Sequence, residues 1–178
     1  MIAAFVMATL VQGAQTLPTP TFTAAQVQQA IACADGPDPG ECASEHTKRS
    51  VLHCMTELPA GADEAAFSQC AGAITDRCVR GWASTTPEMN KRGILVCAAQ
   101  TRAALRFGVD DWFARADRRM DASIMRQYRA QLATVDGRLR DQTAEITGPD
   151  MEVRRAGTQT GIWESFARFL WRSERDGR

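Results

Sequence analysis

Residues 23–42 read TAAQVQQAIACADGPDPGEC, and the fold is decided there. Thr23 with Gln26 three residues later is a capping box, in which a hydroxyl and an amide side chain satisfy each other's backbone N–H groups at a helix start. The helix it opens runs to Gly36. The turn GPDPG follows, after which Asp38 can cap a second helix with Pro39 at its first position, where the missing N–H costs nothing. Cys33 and Cys42 lie symmetrically about that turn. In an antiparallel helical hairpin such positions face each other at a distance that a disulfide can bridge.

The same punctuation recurs outward from this stretch. The second helix is expected from about 39 to 58, ending before Pro59-Ala60-Gly61. Asp63 opens a third, to about Trp82. Thr86-Pro87-Glu88 is another start signal, with a capping hydroxyl, Pro at the first position and an acid in the first turn. A long helical stretch from 87 to about 146 should break near Gly108 or Asp121. Gly148-Pro149 ends it, and Asp150 can cap a last helix with the apolar stripe Ile162, Trp163, Phe166, Phe169 and Leu170. No segment alternates with period two. The expected class is all-α: disulfide-stapled helical hairpins, then a long, broken helix and a C-terminal amphipathic helix. They form one domain from 23 to 178, disulfide-rich over 23–97 and cysteine-free over 98–178.

All six cysteines lie between Cys33 and Cys97, and the last 81 residues have none. Cys54 and Cys70 flank the Pro59–Gly61 turn as Cys33 and Cys42 flank theirs. Cys70 and Cys78 are eight residues apart on one helix, about 12 Å by helical rise, too far to pair. Cys78 then meets Cys97 across the turn before Pro87. Sequential pairing, Cys33–Cys42, Cys54–Cys70 and Cys78–Cys97, is the expectation.

An even cysteine set suits an oxidising compartment. The uncharged run MIAAFVMATLV, followed by small residues at Gly13 and Ala14, has the layout of a signal peptide over 1–13, although no Lys or Arg precedes it. The alternative is an apolar first helix of the mature fold. Residues 14–22 read as a flexible Pro/Thr-rich lead-in. The run is too short to span a bilayer, which takes about 20 residues. A periplasmic or secreted location with no membrane span after leader removal is therefore expected.

The 21 Lys+Arg balance the 21 Asp+Glu, which argues against nucleic acid as a partner. The halves differ: residues 1–101 hold 6 basic and 9 acidic groups, and 102–178 hold 15 and 12, every basic one an Arg. Coding bias accounts for that, or an Arg-lined face for an anionic partner.

The chemistry-bearing signals are few. Cys42, His46 and His53 fall within about 40° on one helix face, with Cys54 and Met55 beside them. Thiolate, imidazole and thioether suit copper or zinc, but the two histidines stand about 10 Å apart by rise, and disulfide pairing competes for both cysteines. No GxSxG, HExxH, P-loop or GxGxxG pattern occurs. Asp110-Asp111 beside Trp112 is the most suggestive carboxylate pair, and a solvated helix turn is its plainer reading. An enzyme is not expected, and neither is a cofactor. Trp112 and Trp163 read as core or as interface anchors.

The stretch from Cys70 to Met120 resembles the LprI-like lysozyme-inhibitor family of bacterial envelope proteins. Cys70, Cys78, Thr85, Thr86, Met89, Cys97 and Trp112 follow the order of that family's features. Trp163 and Phe166 match the spacing of its closing helix. The resemblance covers about residues 66–171. Phe113, Ala116, Asp117 and Met120 stand where the family motif has Asp, Leu, Asn and Tyr, and Trp171 stands where it has a closing cysteine. The resemblance implies a disulfide-bonded, all-α envelope domain that binds a partner protein, a lysozyme by the family's name. Trp112, Arg115, Trp163, Phe166 and Arg168 are the candidate contacts.

Overall fold

A computed structural model describes residues 22–82 and 86–176; the leader and the lead-in up to residue 21 lie outside them. Among the described residues there are six α-helices and no strand. Helix α1 spans Ala24–Asp35, α2 Glu45–Thr56, α3 Glu64–Gly81, α4 Pro87–Ala116, α5 Ala122–Ala144 and α6 Met151–Asp176.

The helix starts follow from the caps. The Thr23 hydroxyl accepts from the Gln26 N–H at 3.2 Å, and the Gln26 side chain accepts from the Thr23 N–H at 2.9 Å. Asp63 accepts from the Ala66 N–H at 2.8 Å and Thr86 from the Met89 N–H at 3.4 Å. Phe22, at the end of the lead-in, packs on Trp82 with ring centroids 4.1 Å apart.

Two boundaries differ from the sequence expectation. The segment 39–58 is not one helix. Pro39–Cys42 forms a single 3-10 turn, Ala43 is extended at φ −98° and ψ 139°, and Ser44 caps α2 by accepting from the Thr47 N–H at 3.1 Å. Ser44 supplies a second N-cap five residues after Pro39, so the chain restarts the helix there. Along the long stretch, the break lies at 117–121, with Asp121 extended before α5. Gly108 is inside α4. At Gly108 the chain needs close approach rather than a bend. A Cβ there would stand 2.6 Å from Met55 Sδ and 2.9 Å from Val51 Cγ1, so α2 crosses α4 where a side chain is absent.

Helix α4 is the central element. It contacts α1, the 3-10 turn, α2, α3 and α6, while α5 packs chiefly on α6. Leu95 to Ala99 and Thr101 to Leu105 are buried without interruption. Five consecutive residues turn through about 500°, so neighbours cover the whole circumference of α4. The three disulfides are Cys33–Cys42, Cys54–Cys70 and Cys78–Cys97, with Cα separations of 5.7, 5.8 and 5.6 Å. They tie α1 to the 3-10 turn, α2 to α3, and α3 to α4. The last helix has no such tie. Its buried Ile162, Trp163, Phe166, Ala167, Leu170 and Trp171 hold it, with Trp171 against Phe67 at 5.4 Å between centroids. Phe169, assigned to the same stripe by the sequence, is 42% exposed.

One charge lies inside this packing. The Arg102 side chain is 2% exposed; its Nη1 donates to Gln159 of α6 at 2.7 Å, and its Nη2 stands 2.8 Å from an Asp35 carboxylate oxygen on α1. The Asp35 contact is an ion pair by distance, off-line for a hydrogen bond, and Nε has no partner. Burial lowers the guanidinium pKa from its ordinary value, outweighing the opposing pull of Asp35.

Candidate functional site

The structure moves most of the expected contact residues off the surface. Trp112 is 1% exposed, edge-on to Phe113 and Tyr128. Trp163 and Phe166 are buried, and the Arg106 guanidinium lies 5.4 Å from the Trp163 ring centroid. These three are core anchors, because α4, α5 and α6 close over the faces that carry them. Arg115 is held between Asp111 at 2.8 Å and Glu174 at 3.3 Å. Arg168 donates to the Ser68 hydroxyl at 2.8 Å and stands 3.7 Å from Glu64, joining α6 to α3. Both arginines are half-buried and already partnered within the chain.

The copper or zinc set is also dispersed. Cys42 and Cys54 are consumed in disulfides and offer no thiolate. Met55 is 1% exposed and packs toward Gly108. Among the described residues no three His, Cys, Asp or Glu side chains are arranged to hold a metal ion. Of the carboxylate pair, Asp111 belongs to the Arg115 ion pair. Asp110 instead lines a cleft of about 390 Å³ with Arg106, Arg129, Asp136 and Trp163. Burial raises its carboxyl pKa above 3.8, with Arg106 opposing.

What the structure does bring together is an open groove between α2 and α3, two adjoining concavities of about 440 and 370 Å³. His46, Arg49, Ser50 and His53 line it from α2. Their spacing of three, four and seven residues is one stripe of a helix. Cys70, Ile74 and Arg77 line it from α3, again at helical spacing. The Cys54–Cys70 disulfide bridges the two walls and Ile74, 7% exposed, lies at the floor.

The groove is cationic. No Asp or Glu is among its lining residues. Arg49 Nε donates to the Glu45 carbonyl at 3.4 Å, and Arg77 Nε donates to the Ala73 carbonyl at 3.3 Å. Each arginine is thus steadied at Nε by its own helix, and neither makes an ion pair among the described residues. His53 sits at the rim with Nδ1 2.9 Å from Glu57. The histidine face was visible in the sequence, where its spacing pointed to a metal. Arg49 was the signal passed over, because it lies three residues after His46 on the same stripe. Arg77 joins it only through the α2–α3 pairing.

No family model, curated protein or solved structure matches this chain.

Proposed function

We propose that the chain is a non-catalytic binding protein of an oxidising extracytoplasmic compartment, gripping a protein partner through the α2–α3 groove. The observation that carries this reading is the groove's construction. Two helices are bridged by a disulfide and present Arg49 and Arg77, which make no ion pair among the described residues and are each held at Nε by their own helix. Preorganisation of that kind reduces what must be ordered on binding. The 16-residue separation of Cys54 and Cys70 corresponds to about 3 kcal/mol of chain-entropy stabilisation. Three disulfides suit an oxidising environment, and among the described residues no helix is long and apolar enough to cross a membrane.

The resemblance to the LprI-like family makes a lysozyme the first partner to try. The test is capture of purified lysozymes by the immobilised protein, with disulfides intact and after reduction. Retention that is lost on reduction supports the reading. Failure to retain any lysozyme type removes the inhibitor function and leaves a binding protein with another partner.

A further inference from the structure

We propose that the α2–α3 groove receives an extended acidic segment of a partner protein, with carboxylates on the arginines and an apolar side chain on the floor. The proposal rests on the binding-protein reading and names its partner chemistry. Arg102, Arg115, Arg129, Arg168 and Arg172 each pair with a carboxylate of the chain. Arg49 and Arg77 are among the arginines with no carboxylate partner within the described residues, and these two face one groove from its opposite walls. With Nε held by a backbone carbonyl, each guanidinium keeps both Nη groups for an outside ligand, a fork that matches the two oxygens of a carboxylate.

The dimensions fit a short strand of peptide. His46 and His53 mark out about 10 Å of α2 by helical rise. Alternate side chains of an extended chain recur about every 6.8 Å on one side, so two acidic side chains fit within that length, one for each arginine, with the residue between them turned to the floor. The floor selects between anion sources. Ile74 and the Cys54–Cys70 disulfide offer apolar surface between the charged walls. A free phosphate or a lipid headgroup has nothing to place there, whereas a peptide residue between two acids does.

The experiment uses the disulfide-intact chain and a fluorescein-labelled peptide of alternating Glu and Leu, followed by fluorescence anisotropy at low salt. An otherwise identical peptide with Gln for Glu is the control. Arg49→Gln/Arg77→Gln should weaken binding about tenfold or more, as expected for losing two charge-assisted contacts, and the Gln peptide should bind as weakly to the native protein. Arg138→Gln, on exposed α5, should leave binding unchanged. Circular dichroism and a free-thiol count establish that each variant is folded and oxidised. No binding of the acidic peptide, equal binding of the Gln peptide, or full affinity in the double variant overturns the proposal. So does displacement of the peptide by millimolar inorganic phosphate or by phosphatidylglycerol vesicles, which would assign the groove to a phosphate anion. If the double variant still captures a lysozyme as the native protein does, the groove assignment falls while the binding-protein reading stands.

Discussion

The pair Arg102–Asp35 should respond to mutation with a pronounced asymmetry. The Arg102 side chain is 2% exposed and that of Asp35 is 48% exposed, so the two ends of one ion pair lie in different media. Removing Asp35 leaves a buried guanidinium with Gln159 as its remaining side-chain partner. Breaking a buried pair from one side costs about 3–5 kcal/mol. Asp35 is the last residue of α1, where a negative charge opposes the helix dipole, and its removal returns about 0.3–1 kcal/mol. Asp35→Ala should therefore destabilise the fold by about 2–4 kcal/mol, lowering Tm by roughly 4–16 °C for a domain of this size. Arg102→Met removes the buried charge itself. The half-exposed carboxylate left behind hydrates, and the methionine fills most of the stem's volume. The cost of Arg102→Met should be smaller than that of Asp35→Ala, because the charge left behind is exposed to water rather than buried. In the Arg102→Met background, Asp35→Ala should lose nearly all its effect. Urea unfolding followed by circular dichroism under non-reducing conditions measures all three variants. Arg102→Met more destabilising than Asp35→Ala would refute the reasoning.

Gly108→Ala should destabilise by about 1–2 kcal/mol, since overpacking costs about 1–3 kcal/mol and the gain in helix propensity returns up to about 1; Val51→Ala in the same chain should recover part of the loss, and an unfolding midpoint equal to the native one would contradict the close approach. Asp110 has a direction in pH. Its folded-state carboxyl holds a proton more tightly than the unfolded one, so its contribution to stability grows as pH falls through the folded pKa and is complete below about 3.8. Asp110→Asn should therefore be at least as stable as the native protein at pH 7, with that advantage shrinking toward pH 3.8. Paired urea titrations follow it, and an advantage that grows on acidification would reverse the sign.

Much of the helical hairpin architecture was legible because its signals are local. Capping residues at Thr23, Asp63 and Thr86 act within one turn of chain. Cysteines placed evenly about a tight turn meet wherever that turn forms, so Cys33–Cys42 and Cys54–Cys70 follow from spacing, and Cys78–Cys97 is the pair that remains. The split of 39–58 was less legible, because Ser44 competes with the helix that Pro39 begins and only the geometry beyond Cys42 chooses between them. The site was half legible. The stripe of His46, Arg49 and His53 is written in the chain, but its chemistry depends on what faces it, and Arg77 faces it from 28 residues away.

By itself the sequence determined the elements: all-α class, the helix starts at Thr23, Asp63 and Thr86, the turns, and the sulfur pairs that close over short loops. Only the tertiary structure decided which side chains are inside. Trp112, Trp163 and Phe166 would look the same in sequence whether they met a partner or the core, and the packing of α4, α5 and α6 buries them. Capping and hairpin closure are settled within a few residues by hydrogen bonds and reach. Burial is a sum over neighbours brought from distant parts of the chain, and so is the meeting of Arg49 and Arg77 in the α2–α3 groove.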